Sequence, residues 1–105
     1  MSEIDPEDAK IITLARAARA RNATPEGAAV RDETGRTYSA TTVDLPSLKL
    51  SALQVAVAMA VSSGAESLEA AAVVTEADPE VAAARDLGAK TILIAGPDGS
   101  LRETR

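Results

Sequence analysis

The chain of 105 residues contains no histidine and no cysteine, and its only aromatic residue is Tyr38. The absence of cysteine excludes disulfide bonds, and without cysteine or histidine the chain lacks the ligands that most often hold zinc. Without phenylalanine or tryptophan, the hydrophobic core must consist mainly of Ala, Val, Leu and Ile. Because a buried alanine contributes much less than the ~1.5–3 kcal/mol of a buried leucine, such a core has a small stability margin. We therefore expect a homo-oligomer, a dimer or a tetramer, that buries further apolar surface.

Charge and hydropathy disfavour nucleic acid and membrane partners. The chain carries 16 acidic and 11 basic side chains, a net charge of −5, and a negative surface repels phosphate groups. No apolar run approaches the ~20 residues of a membrane span. The first five residues are acidic and lack the basic and then apolar order of a secretion signal, which predicts a cytoplasmic protein. The length predicts a single domain over residues 1–105.

Three segments have the features of helices. Asp5 precedes a proline and two acidic residues, a combination typical of a helix N-terminus. Ser51 is a second candidate N-cap, and Gly64 and Gly88 are candidate helix ends. The middle segment is apolar on nearly all sides, which predicts a helix buried on most of its faces. The helices are expected over residues 5 to about 21, 47 or 51 to 63, and 79 to about 87.

Five further segments are predicted to be strands. Two of them flank the turn Asp-Glu-Thr-Gly at residues 32–35 and form a hairpin. Two others are unbroken apolar runs, typical of strands covered on both faces. The strands are expected over residues 27–30, 36–43, 68–75, 91–95 and 100–104, with loops at 45–47 and 96–99. Strands that alternate with helices predict an α/β fold with a mixed sheet flanked by helices.

Two polar groupings have both a functional and a structural interpretation. Glu76, Asp78 and Glu80 offer carboxylates for Mg²⁺ or Ca²⁺, but helix capping and helix-dipole interaction explain the same residues. Lys49 and Ser51 resemble a serine–lysine nucleophile pair, but Ser51 also fits the N-cap of the second helix. We favour the structural interpretation in both cases.

Arginines offer a third such grouping. They could form a basic patch for RNA, although no aromatic side chain for base stacking lies near most of them in the sequence. A solvated helix face is the simpler interpretation. The residues concerned are Arg16, Arg19, Arg21, Arg31 and Arg36.

Several motifs resemble the small zinc-dependent cytidine deaminases. They are Gly-Ala-Ala-Val at residues 27–30, the turn at Gly35 followed by Arg-Thr-Tyr, and the segment 51–64, which starts with Ser-Ala-Leu and ends with Ala-Val-Ser-Ser-Gly. The resemblance implies a three-layer α/β fold. Its mixed sheet of four to five strands would contain a β-hairpin, then parallel strands and an antiparallel last strand.

The resemblance also implies which residues stand at the catalytic positions. That family has Cys-Ala-Glu or His-Ala-Glu at the start of the buried helix, where the first residue binds zinc and the glutamate transfers protons. Ser51 and Leu53 occupy these positions here. The family's later Pro-Cys-x-x-Cys motif corresponds to Pro79 with Glu80 and Ala83 in place of the two thiolates. The zinc site is therefore expected to be lost, and no cofactor and no catalytic residue is expected.

Thr42 and Asp44 stand where the family has the asparagine and glutamate that hold the ribose. The degenerate pocket implied by the resemblance consists of Thr42, Asp44, Ser51, Leu53, Glu80 and Ala83. Three hypotheses of function follow. The chain is a pseudoenzyme with an assembly or interaction role, or it binds a nucleoside or another small ligand in a vestigial pocket, or it is a divergent cytidine deaminase or an enzyme with unrelated chemistry.

Overall fold

The computed structural model describes residues 4–105, so Met1–Glu3, part of the acidic N-terminus noted above, lie outside the described residues. The order of the elements is the predicted one, with one additional short hairpin. The helices and strands are α1 (Pro6–Asn22), β1 (Gly27–Asp32), β2 (Thr37–Thr41), β3 (Val43–Leu45), β4 (Leu48–Leu50), α2 (Ala52–Ser62), β5 (Leu68–Val74), α3 (Ala82–Asp86), β6 (Thr91–Ala95) and β7 (Leu101–Thr104).

Five strands form one mixed sheet in the order β2-β1-β5-β6-β7. The β5–β6 pair is parallel, and the other neighbours are antiparallel, including the last pair, β6–β7. Apolar side chains of α1 pack on one face of the sheet, and those of α2 and α3 pack on the other. This arrangement confirms the predicted three-layer α/β fold.

The ends of α1 and α2 follow from local hydrogen bonds. Asp5 accepts a bond from the backbone N–H of Glu7 at 2.8 Å, and proline occupies the first turn of α1. Ser51 accepts from the N–H of Gln54 at 3.1 Å, and Gln54 in turn accepts from the N–H of Ser51 at 2.9 Å. This reciprocal capping box fixes the start of α2 immediately after Ser51.

The third helix begins later than predicted, at Ala82 instead of residue 79. Two of the preceding carbonyl groups accept hydrogen bonds from arginine side chains, one in β7 and one just after it. Arg105 donates to the carbonyl of Pro79 at 3.2 Å, and Arg102 donates to that of Ala77 at 2.8 Å. These long-range bonds hold residues 77–80 as a loop, which the local sequence does not indicate.

The hairpin of β3 and β4 was not predicted. The second strand, expected over 36–43, ends at Thr41, and the chain then forms two three-residue strands on either side of the expected loop. Asp44 and Lys49 lie opposite each other in this hairpin and form an ion pair at 2.7 Å. Strands this short carry too few residues to show a two-residue period.

Helix α2 is less buried than its composition predicts. Its buried residues face the sheet and are Ala52, Leu53, Ala56, Val57 and Ala60. On the remaining surface, Met59 is 41% exposed and Val61 is 51% exposed. The prediction that α2 is buried on most of its faces is therefore wrong for the isolated chain.

A buried carboxylate organises the β1–β2 turn. Asp32 is 2% exposed and accepts four hydrogen bonds, from the hydroxyl and N–H of Thr34, the N–H of Arg36 and the hydroxyl of Tyr38. Burial by itself raises the pKa of Asp32, but these hydrogen bonds outweigh it and hold the pKa below its usual value.

We expect Asp32→Ala to lower the free energy of unfolding by about 2–3 kcal/mol, because it leaves the N–H groups of the turn unpaired. Since the pKa of Asp32 is lowered on folding, its contribution is complete above the unfolded pKa and is lost as the pH falls through the folded pKa. Urea denaturation across an acidic pH series would measure both effects. Asp86→Ala, at an exposed position, serves as the control. An equal loss in both variants would contradict the prediction.

Candidate functional site

The two residues predicted at the ribose positions have different environments. The side chain of Asp44 is 73% exposed and is bound to Lys49 across the β3–β4 hairpin. Thr42, between β2 and β3, is partly buried, and its Oγ1 atom is buried without a hydrogen-bond partner among the described residues. Asp44 is therefore engaged at the surface, whereas the Thr42 hydroxyl is the one polar group of the predicted set that lacks a protein partner.

The two residues predicted at the start of α2 have structural partners. The Ser51 hydroxyl is held in the capping box with Gln54. Leu53 is 1% exposed and belongs to the hydrophobic cluster between the sheet, α2 and α3. The buried members of this cluster are all apolar.

Glu80 and Ala83, the residues predicted at the thiolate positions, also have structural partners. Glu80 is exposed, and its Oε1 atom accepts a bond from the N–H of Ala82 at 2.9 Å, within the first turn of α3. Ala83 is partly buried and packs against the same hydrophobic cluster as Leu53. The fold thus brings Leu53 and Ala83 to one apolar cluster, whereas the carboxylates of Asp44 and Glu80 are exposed and bound to other partners.

The alternative acidic and nucleophilic groupings are not assembled either. Glu76 lies 3.8 Å from Arg19, Asp78 pairs with Arg105, and Glu80 accepts a hydrogen bond from the N–H of Ala82. Lys49 bonds to Asp44, and Ser51 bonds to Gln54, so the two residues do not act as a pair. Within residues 4–105, no three Asp or Glu side chains converge in a way that could hold a metal ion.

Three of the five arginines of the hypothetical basic patch bind acceptors of their own chain. Arg16 donates to the carbonyl of Pro97 at 3.3 Å, and Arg19 donates to that of Pro25 at 3.1 Å. Arg31 bonds to Asp8 at 3.0 Å. These contacts favour the structural interpretation of the patch.

The sequence gives no indication of two surface grooves beside α1, on the face of the sheet opposite to Leu53. One has a volume of about 200 Å³ and lies between α1 and the β6–β7 turn. The other, of about 340 Å³, lies between the start of α1 and the strands β6 and β7. Both grooves lie where α1 does not cover the last two strands. The position of α1 on the sheet depends on tertiary packing, so the sequence pattern does not indicate it.

The fold and the site define a three-layer α/β protein in which α2 starts at a capping box, and α2 and α3 pack their apolar side chains into the hydrophobic core. A family model described as cytidine deaminase-like matches residues 4–99. The chain therefore belongs to the cytidine deaminase-like family.

Solved structures of cytidine deaminases share this fold. The enzyme from Burkholderia pseudomallei superposes with a TM-score of 0.73 at 24% identity, covering 91% of this chain and 89% of its own. The enzyme from Mycobacterium tuberculosis gives 0.67 at 23% identity, with coverages of 96% and 91%. The enzyme from Mycobacterium leprae gives 0.65 at 21% identity, with 89% of each chain covered. A search of curated proteins finds no match.

None of the helices in residues 4–105 is both long enough and apolar enough to cross a membrane.

Proposed function

We propose that this chain is a pseudoenzyme of the cytidine deaminase-like family that serves as an assembly or interaction protein. One observation carries the proposal. Leu53 is a fully buried core residue, and the resemblance places it where a deaminase has its proton-transferring glutamate. Leucine has no proton to transfer, and its burial leaves no solvated space for a substitute acid at the same position.

The residues at the corresponding metal positions do not fit zinc. A catalytic zinc needs three protein ligands, drawn from Cys, His, Asp and Glu. Ser51, Glu80 and Ala83 supply one carboxylate, which already accepts a hydrogen bond from the N–H of Ala82, and Ala83 has no donor atom. We therefore derive no catalytic step through zinc in this chain.

Exposed apolar side chains support the assembly role. Met59 and Val61 on α2 and Leu45 and Leu48 on the β3–β4 hairpin are large hydrophobic residues with exposed surface. The core contains many alanines and no phenylalanine or tryptophan, so burial of this surface between copies adds stability that the isolated chain lacks. We propose a homo-oligomer in the cytoplasm, the compartment predicted from the sequence.

Three measurements on one preparation test this function. Protein produced with added zinc and purified without chelator is expected to contain far less than one zinc per chain, to leave cytidine and deoxycytidine unchanged, and to scatter light as more than one chain. An active cytidine deaminase, assayed in parallel, is the control. Stoichiometric zinc together with turnover would overturn the proposed inactivity, and a monomer at micromolar concentration would overturn the assembly role.

A second candidate, ligand binding in a vestigial pocket, is favoured by the unpartnered Oγ1 atom of Thr42. A bound nucleoside or similar polar ligand would supply the missing partner by displacing the groups that cover this buried atom. In that case a nucleoside raises the melting temperature of the wild-type protein by mass action, and Thr42→Val, which keeps the shape but removes the hydroxyl, abolishes the rise. No rise with any nucleoside would remove this candidate.

A further inference from the structure

The two edge strands of the five-stranded sheet, β2 and β7, differ in the features that prevent a strand of another chain from pairing with them. The β7 edge carries the charged residues Arg102 and Glu103, and its register with β6 is shifted between Ile94 and Ala95. The β2 edge has the sequence Thr-Tyr-Ser-Ala-Thr, without charge or proline, and pairs with β1 in regular register. Charges and bulges are the usual means by which sheet edges avoid pairing with another chain. The β2 edge has neither.

Alternate residues of β2 present their backbone groups outward. Asp32 donates its N–H to the carbonyl of Arg36, and hydrogen-bonded pairs then alternate along the hairpin, so Tyr38 and Ala40 bond to β1. The N–H and C=O groups of Thr37, Ser39 and Thr41 therefore point away from β1. Within the described residues, no other backbone hydrogen bond involves residues 37–41.

The outward backbone groups of Thr37, Ser39 and Thr41 are spaced symmetrically about Ser39. A two-fold axis midway between Ser39 of one copy and Ser39 of a second copy therefore brings donors opposite acceptors. Ser39 then pairs with Ser39 of the second copy, and Thr37 pairs with Thr41, giving about six interchain hydrogen bonds. Hydroxyl side chains face each other on the α1 side, where Thr41 already bonds to Asn22. On the α2 side, the large Tyr38 lies opposite the small Ala40. Pairs of hydroxyl side chains across strands are favourable, and the small Ala40 leaves room for the ring of Tyr38.

The position of α2 fits the same assembly. This helix packs mainly over β2 and β1. Adding a two-fold copy of β2 places the two α2 helices about two strand spacings apart, or about 10 Å, which is a normal helix packing distance. Met59 and Val61 lie about 200° apart around α2, on opposite flanks of the buried face, so an exposed apolar side chain lies on the flank facing the copy.

We propose that this protein self-associates by antiparallel pairing of β2 with β2 of a second copy, centred on Ser39, and that α2 packs against its symmetry mate. The proposal rests on the assembly role proposed above and specifies its surface. The result is a continuous ten-stranded sheet, in which the unprotected edge and part of the exposed surface of α2 are buried together.

A single introduced cysteine tests the pairing, because the natural chain contains none. In Ser39→Cys the two thiols face each other across the axis, where the Cα atoms of a hydrogen-bonded pair are about 5.5 Å apart. A short bifunctional thiol reagent is expected to form dimers at least about tenfold faster than in Thr104→Cys, a more exposed position on the other edge strand, β7, since facing thiols react at a high effective concentration. Equal rates in an oligomeric protein would overturn the pairing but leave the assembly role intact.

Ser39→Pro provides an independent measurement. The N–H of Ser39 is not used by β1, so proline removes only an outward donor from an edge position, where proline is tolerated. Self-association is expected to weaken at least about tenfold, the effect of losing about 1.4 kcal/mol of interchain bonding. Circular dichroism checks folding, and if this variant does not fold, the cross-linking result decides. A monomeric wild-type protein would overturn the assembly role and the pairing together.

Discussion

Leu53→Glu is expected to destabilise the protein severely and not to restore deamination. Leu53 is 1% exposed and belongs to a cluster whose buried members are all apolar, so a glutamate there loses its hydration and gains no buried ionic partner. An uncompensated buried charge costs about 3–5 kcal/mol, which is comparable to the whole stability of a small domain. We therefore expect the variant to be largely unfolded at neutral pH. The measurement is urea denaturation followed by circular dichroism, together with a cytidine assay with zinc added.

Two matched variants separate the effect of the charge from that of the position. Gln54→Glu places the same carboxylate on the exposed side of α2, at the third position of the capping box, where glutamate is a preferred residue, and is expected to change stability by less than about 0.5 kcal/mol. Leu53→Met conserves volume and is expected to cost less than about 1.5 kcal/mol. A Leu53→Glu protein that is as stable as the wild type, binds zinc and converts cytidine would refute the proposed function.

Gly27→Ala is expected to be the second most disruptive substitution. A Cβ atom at Gly27 would lie 2.0 Å from the carbonyl oxygen of Ala15 and 2.9 Å from the backbone N and Cβ of Arg19. Backbone atoms of a packed helix cannot rotate aside, so α1 would have to move away from β1. Overpacking of this kind typically costs about 1–3 kcal/mol, and we expect the upper end of that range.

The control is Gly96→Ala. The nearest atom to an added Cβ there is Oδ1 of Asp98 at 3.4 Å, an ordinary contact with a side chain at the surface turn. Alanine also reduces the conformational freedom of the unfolded chain, so this variant is expected to be neutral or slightly stabilised. The shift in the midpoint of urea denaturation measures both substitutions. Equal midpoints would show that α1 does not approach β1 as closely as described.

The positions that the resemblance assigns to catalysis share a common property here. Each has an ordinary structural role: Ser51 caps α2, Leu53 fills the core, Glu80 accepts a hydrogen bond from the N–H of Ala82 and Ala83 packs against the core. Interactions of this kind keep the two helix termini in place without a metal. They explain how a deaminase-like fold can persist in a chain that has no histidine or cysteine.

The fold class was predictable because its signals are local. The caps at Asp5 and Ser51 involve residues two or three positions away, and the apolar runs of β5 and β6 are visible without knowledge of their neighbours. The same holds for the turn at residues 32–35. Hydrogen bonds within a few residues and a regular apolar pattern are properties of the sequence itself.

The candidate site was predictable only as a set of positions. The ion pair of Asp44 depends on a hairpin of two three-residue strands that the sequence pattern did not indicate, and the unpartnered hydroxyl of Thr42 depends on burial, so neither could be predicted. The signal for Leu53 as a core residue was present in the apolar composition of its helix. Its complete burial depends on how the sheet, α2 and α3 pack together.

The sequence by itself determined the order of the main elements, the α/β class and the absence of histidine and cysteine, since these follow from local patterns and residue types. Only the tertiary structure decided where α3 begins, which side of α2 is exposed and that β2 has an open edge. The start of α3 depends on Arg102 and Arg105, more than twenty residues further along the chain. The exposure of α2 and of the β2 edge depends on which elements pack against them in the fold, and the sequence around these elements does not indicate that.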